Sequence, residues 1–166
     1  QHGILSMATY VLGFQEESAK DYWNTLRHLV RYDPDQIQLL YAVPHRWTPF
    51  YATVIHRKVI QLDTRKWDYK HQVLEVPGTP AWQVFAWFKA IEVLVQLRPK
   101  VLGRMLFHPD PDYRHAMRWY TRIGRRVWFH EVWEFLFQTP FPTDPPSLQA
   151  FLGDSLAEQE YALKKY

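Results

Sequence analysis

Pro44-His45-Arg46-Trp47-Thr48-Pro49-Phe50 is the densest group of reactive and recognition side chains in the sequence. An imidazole can ligate a metal ion or move a proton near neutral pH. A guanidinium pairs with a carboxylate through two parallel bonds, and an indole offers a flat face to a planar ring. Two prolines stiffen the loop that carries these groups. The plainer alternative is a loop packed on a neighbouring domain with Trp47 as its anchor, and the residues alone leave both readings open.

Three further constellations compete with it. Tyr10-Val11-Leu12-Gly13-Phe14-Gln15-Glu16 ends an apolar run on glycine, with a carboxylate three residues later. Gly13 leaves the backbone unobstructed there, so a small planar ligand can lie against it with Val11 at its side. An ordinary strand-to-helix turn, with Glu16 serving the helix dipole, explains the same residues. Arg114, Arg118, Arg122 and Arg125/Arg126 recur every three to four residues and form one basic stripe. The stripe reads as a solvated face, or as a site for an anionic ligand, a membrane surface or a partner protein. Nucleic acid is disfavoured, because Trp119, Ile123, Val127 and Phe135 are expected on other faces and not among the arginines. Trp82, Phe85, Trp87 and Phe88 have helical spacing and read as core.

The elements that must position these groups follow from periodicity. Ile4 to Leu12 is apolar and β-branched, which predicts a buried strand. Ser18 with Asp21 forms a helix-start pair, and the helix runs to about Tyr32 with Tyr22, Leu26, Leu29 and Val30 on its apolar face. Asp33-Pro34-Asp35 ends it. Ile37 to Val43 predicts the next strand, completing a βαβ unit and hence a parallel pair. The loop from Pro44 to Tyr51 leads into a helical turn over 52–58. Val59 to Leu62 and His71 to Val76 read as short extended pieces around a charged aromatic linker. Thr79 and Pro80 open a helix to Arg98, apolar nearly all round except for Lys89, Glu92 and Gln96. A short helix over 101–107, a long one over 112–138 and a last one over 147–166 follow.

The composition bounds the class. At 47% hydrophobic and 22% charged, the 166 residues can bury a core and are not disordered. A net charge of +3 selects no partner by itself. There are no cysteines, which excludes disulfides, thiolate zinc sites and cysteine-ligated clusters on this chain. The histidines show neither HxH nor HExxH spacing. No apolar run reaches the roughly 18 residues of a spanning helix, and no signal peptide precedes the first strand. The expected location is cytoplasmic, with membrane association as the alternative. The chain opens on Gln1-His2-Gly3 without an initiator Met, which suggests a piece of a longer protein.

The segments GFQEE (13–17), DPDQIQLLYAVPHRWTPF (33–50), RKWDYKHQVL (65–74) and HAMRWYTRIGRR (115–126) resemble the anaerobic magnesium-protoporphyrin IX monomethyl ester cyclases. These are cobalamin-dependent radical S-adenosylmethionine (SAM) enzymes of bacteriochlorophyll synthesis. The resemblance spans essentially the whole chain, and the PHRWTPF loop is its most specific part. It implies an α/β fold: the last βαβ unit of a partial (β/α) radical SAM barrel, followed by a mostly helical C-terminal domain. Residues 1–58 would be barrel, 59–78 a linker and 79–166 the helical domain. The cluster-binding CxxxCxxC motif and the cobalamin domain would lie upstream, so the [4Fe-4S] cluster and cobalamin would not be held by this piece.

The family's G-x-I-x-G-x-x-E motif falls on Thr9, Val11, Gly13 and Glu16, with Thr and Val replacing the first Gly and the Ile. It implies SAM contacts from Val11, Gly13 and Glu16, completed by Leu40, Tyr41 and Ala42 of the next strand. The substrate, magnesium-protoporphyrin IX monomethyl ester, would meet His45, Arg46 and Trp47. The implied reaction closes the fifth, isocyclic ring without O2, the new carbonyl oxygen coming from water, and the fragment would be inactive alone. A reading from another class is a non-catalytic helical module that binds a tetrapyrrole or a partner. Two parallel strands alone have open edges, so a homodimer of the fragment is compatible with the sequence.

Overall fold

The computed structural model describes residues 4–14, 17–138 and 141–156. The elements are β1 (Met7–Leu12), α1 (Ala19–Tyr32), β2 (Gln36–Tyr41), α2 (Pro49–Thr53), a 3-10 turn (Thr64–Lys66), α3 (Ala81–Gln96), α4 (Pro99–Phe107), α5 (Pro111–Phe137) and α6 (Leu148–Leu152). The two strands pair with each other. Gln36 N–H donates to Ser6 O at 3.0 Å and Ala42 N–H to Leu12 O at 2.8 Å. The constant offset of 30 residues between donor and acceptor makes the pair parallel. The chain is thus an α/β arrangement with a short parallel pair and mostly helices.

Local chemistry explains the boundaries. The Asp21 carboxylate accepts from the Ser18 N–H at 2.9 Å and from its hydroxyl at 2.6 Å, fixing the start of α1. Asp33 ends α1 in the left-handed region, with its N–H on Leu29 O. Pro49 stands at the first helical position of α2, so the second proline of the loop starts a helix. The expected turn over 52–58 is therefore earlier, at Pro49–Thr53. The first strand is shorter than expected and buried only at its end: Ile4 is 76% exposed and Met7 is exposed too, while Leu12 is buried. Met7 and Thr9 are exposed while Ala8 and Tyr10 are half-buried and Leu12 buried, the alternation of a strand covered on one face. The last helix stops at Leu152, where Gly153 turns with φ 85°, and residues 157–166 of that expectation lie outside the described residues.

The residues fall into two compact units that do not follow chain order. The first comprises residues 1–10, 17–39 and 82–140. Its core includes Tyr22, Leu26 and Leu29 of α1, Leu39 of β2, and Val84, Phe88, Ile91 and Val95 of α3. Each such side chain, fully buried, contributes roughly 1.5–3 kcal/mol. Tyr22 stacks on Trp87 at 6.0 Å, and Phe85 on Phe135 at 3.9 Å with rings 4° apart, joining α3 to α1 and to α5. Val101, Tyr113 and Met117 form a second cluster between α4 and α5. Of the expected aromatic core only Phe88 is fully buried, and Trp82 faces solvent.

The polar stripe of α3 is not solvated. Lys89 is 6% exposed. Its ammonium bonds the Glu92 carboxylate at 2.7 Å and the Glu131 carboxylate of α5. A helix apolar nearly all round buries its one cation by taking carboxylates with it. Nearby, Arg98 donates to the carbonyls of Leu29, Val30, Pro34 and Val95, and Arg104 pairs with Asp33 and Asp35.

The second unit comprises residues 11–16, 40–81 and 141–166. Val43, Tyr51, Val54, Val59, Val73, Leu74 and Leu148 are its core. Segment 58–59 is held on both sides, by bridges Val59↔Leu74 and Lys58↔Ser147. Residues 59–78, expected as a linker, thus supply buried Val59, Val73, Leu74 and Val76.

Candidate functional site

The site is built at the end of β2, within the second unit. Beyond Tyr41 the chain continues through buried Ala42, Val43 and Pro44 into the His45–Trp47 loop. Thr48 caps the turn: its N–H and its hydroxyl both donate to His45 O, at 2.9 and 2.7 Å. The His45 ring stacks on Trp47 at 4.7 Å, 13° from parallel. Its Nε2 shares a 2.8 Å hydrogen bond with the Tyr69 hydroxyl. Tyr69 is left-handed, φ 67°, and its carbonyl accepts from the Tyr41 N–H at 2.8 Å. The end of the strand therefore holds the residue that holds the histidine. Trp47 is 66% exposed, so a ring face remains open beside the imidazole.

Arg46 turns to the segment after α6. Its Nε and Nη2 donate to Asp154 O at 3.1 and 2.9 Å, and its own carbonyl accepts from Leu156 N–H at 2.9 Å. Tyr51 braces the same segment through a 2.6 Å bond to Gly153 O. Burial pushes the Tyr51 phenol up, against the opposing charge of Arg46. Arg46 is thus a structural clamp that keeps Nη1 for another acceptor.

The end of β1 forms the other side. Gly13 has φ 87°, a region that favours glycine, and an added Cβ would stand 4.0 Å from Ala42 N. Arg57 donates from Nη1 to Gly13 O at 3.1 Å and Phe14 O at 2.9 Å, and from Nε to Glu75 O at 2.9 Å. The strand register sets half-buried Val11 beside half-buried Leu40. The N–H groups of Tyr41 and Ala42 are taken by Tyr69 O and Leu12 O, leaving these residues their carbonyls and surfaces.

The structure thus brings Val11, Gly13, Leu40, Tyr41, Ala42, His45, Arg46 and Trp47 into one unit. Glu16 lies outside the described residues. Sequence reasoning missed Arg57 and Tyr69. The three carbonyls of Arg57 lie on segments remote in the chain, and nothing in KWDYK marks a left-handed tyrosine. Among the described residues no group of three or more His, Cys, Asp or Glu could hold a metal ion.

The site is a stiff loop with an exposed indole, an imidazole set by a phenol, and a guanidinium anchored on one edge. Such a set suits a flat ligand bearing a carboxylate. No family model matches the chain. No solved structure matches it. A curated protein of Synechocystis sp. (strain ATCC 27184 / PCC 6803 / Kazusa), "Anaerobic magnesium-protoporphyrin IX monomethyl ester cyclase", is 49% identical over 163 residues. That match takes in 98% of this chain and 33% of the relative, so the chain spans about a third of the relative's length. Over nearly all of its residues, this chain is a sequence relative of the anaerobic magnesium-protoporphyrin IX monomethyl ester cyclase.

Proposed function

We propose that this chain is the C-terminal segment of an oxygen-independent oxidative cyclase that closes the isocyclic ring of magnesium-protoporphyrin IX monomethyl ester. The observation that carries this reading is the 49% identity to a protein of that name over 98% of the chain. In this reading β1, α1 and β2 end a partial (β/α) radical SAM barrel, residues 59–78 connect, and the helices after residue 79 form an appended domain. The site at the C-terminal ends of the strands is where barrels place ligands. The protein is assigned to the cytoplasm.

The substrate is assigned to the His45–Trp47 loop. Trp47 meets the macrocycle with its edge: an imidazole that ligates the magnesium stands perpendicular to the macrocycle, and the Trp47 ring lies 13° from the His45 ring. His45 offers Nδ1 as the axial nitrogen to the substrate's magnesium, since Nε2 is held by Tyr69, and Arg46 meets the free propionate with the edge that Asp154 leaves open. Val11, Gly13 and Leu40 offer an apolar shelf that fits the adenine of SAM. Tyr41 and Ala42 contribute only carbonyl and side-chain contact there, because their N–H groups are engaged. The [4Fe-4S] cluster does not fit this chain, which has no thiolate to hold it. Cluster, cobalamin and the radical chemistry are assigned to the remainder of the longer protein, and the segment is inactive alone.

Titration of the 166-residue chain with a magnesium porphyrin bearing a free propionate, followed by the Soret band, tests the assignment. A band shift that saturates, and is lost in His45→Ala, is the expected result. Unchanged affinity and spectrum in His45→Ala would remove the axial contact, and no binding by the parent chain would remove the substrate site.

A further inference from the structure

The first unit carries a second surface that the cyclase reading does not use. Trp119, Ile123, Val127 and Phe135 of α5 were expected on faces apart from the arginine stripe; Phe135 does turn inward onto Phe85, but Trp119, Ile123 and Val127 are exposed like the arginines. At 3.6 residues per turn, Trp119, Ile123, Arg126, His130, Trp133 and Phe137 fall within about 40° of one line along α5. All six are exposed, Trp119 by 50%, Trp133 by 57% and Phe137 by 66%. Arg122, Arg118 and Arg125 lie along one side of that line, about 60–120° round the helix from it, and are exposed as well. The helix is held from its other side, through Tyr113, Met117, Glu131 and Phe135. Between Asp112 and Glu134 the sequence holds one carboxylate, Glu131, and it is turned inward onto Lys89.

We propose that this face of α5 binds an anionic lipid surface, with the helix lying along the membrane. The charge is complementary, since the face presents arginines and no outward carboxylate over some 20 residues. Indole and phenyl rings settle at the headgroup boundary, and arginines reach past them to the phosphates. No helix is long and apolar enough to cross a membrane among the described residues, so the contact is peripheral. Ile123 on this face, with exposed Val127 and Leu136 on its two flanks, separates it from a nucleic-acid groove: aliphatic side chains gain in an acyl layer and gain nothing along a sugar–phosphate backbone.

Co-sedimentation of the 166-residue chain with phosphatidylcholine vesicles, with and without phosphatidylglycerol, tests the proposal. Binding is expected to the anionic vesicles, to weaken with salt, and to shift tryptophan emission to the blue. Arg122→Gln with Arg126→Gln is expected to weaken it about thirtyfold, at the usual free energy per cation near a charged bilayer. Trp119→Ser with Trp133→Ser is expected to abolish the blue shift, with an unchanged circular dichroism spectrum as the control for folding. Failure to sediment with anionic vesicles overturns the proposal. So does full binding by both double variants, tighter binding to a single-stranded oligonucleotide than to the vesicles, or burial of the same tryptophans by self-association.

Discussion

The imidazole of His45 and the phenol of Tyr69 share a 2.8 Å hydrogen bond across 24 residues of chain. Tyr69 reaches it from a left-handed backbone that L side chains rarely adopt. Tyr69→Phe, which removes only the hydroxyl, is expected to cost about 1 kcal/mol in urea unfolding. Tyr69→Gly is expected to be about 1 kcal/mol more stable than Tyr69→Ala, since only glycine is at ease at that φ. Equal stability of the two would show that the backbone there is not left-handed.

Lys89 sits between two acidic side chains in the first unit, all three largely buried. Lys89→Met leaves those carboxylates without their cation and is expected to cost about 3–5 kcal/mol. Adding Glu131→Leu should recover much of that, because the cost belongs to the stranded charge. A loss under about 1 kcal/mol for the single change would place the lysine in water instead.

Acid should unfold the first unit early. The Arg104 bond holds the Asp33 carboxyl below its ordinary 3.8. Burial pushes Asp35 up, but bonds from Tyr113 and Ser6 and the Arg104 charge outweigh it and leave it lowered. A lowered carboxyl stabilises the fold above its unfolded value, and that stability is lost as pH falls through the folded one. Melting temperature should therefore drop from about pH 4 downward. In Arg104→Gln the drop should be shallower, from a lower starting stability. A flat profile in the parent chain would contradict the network.

The alkaline side has its own marker. Burial, then the bond to Asp35, pushes Tyr113 up to about 12. A raised group keeps its contribution below the unfolded value of 10.0 and loses it as pH climbs to about 12. Tyr113→Phe should remove that fall between the two values, read by thermal melts at fixed ionic strength. Parent and variant falling in parallel would assign the effect to other groups.

Arg57 is the hub of the site's scaffold, with its guanidinium on the carbonyls of Gly13, Phe14 and Glu75. An ammonium cannot match that planar fork, so Arg57→Lys is expected to cost about 2–3 kcal/mol. The measurement is urea unfolding beside His45→Ala, which should cost only about 1 kcal/mol, for its bond to Tyr69. The reverse order would make the loop, not Arg57, the support of the site.

What the sequence disclosed divides along physical lines. Ser18, Asp21 and Asp33 act within a turn of chain, and their residue types announce helix ends. The βαβ unit was legible because alternation and helical period each need only a short window. Arg57, Arg98 and Tyr69 were not legible, since their partners are set by the folded chain and their own neighbours carry no sign of it. The outward Trp82, read as core, was misread for a related reason: hydrophobic character is taken to mean burial, and only the packed helices show which face is left outside.

Arg98 has a consequence for motion. Its guanidinium reaches Leu29 O, Val30 O and Pro34 O, at the C-terminal end of α1, from a position 64 to 69 residues later. A helix end normally frays in the fastest local openings. Here the carbonyls that would fray are held by a side chain rooted between α3 and α4, so α1 can unwind from that end only when that junction opens as well. In hydrogen exchange the last amides of α1 and those following Arg98 should report one shared opening free energy and collapse to separate, lower values in Arg98→Gln.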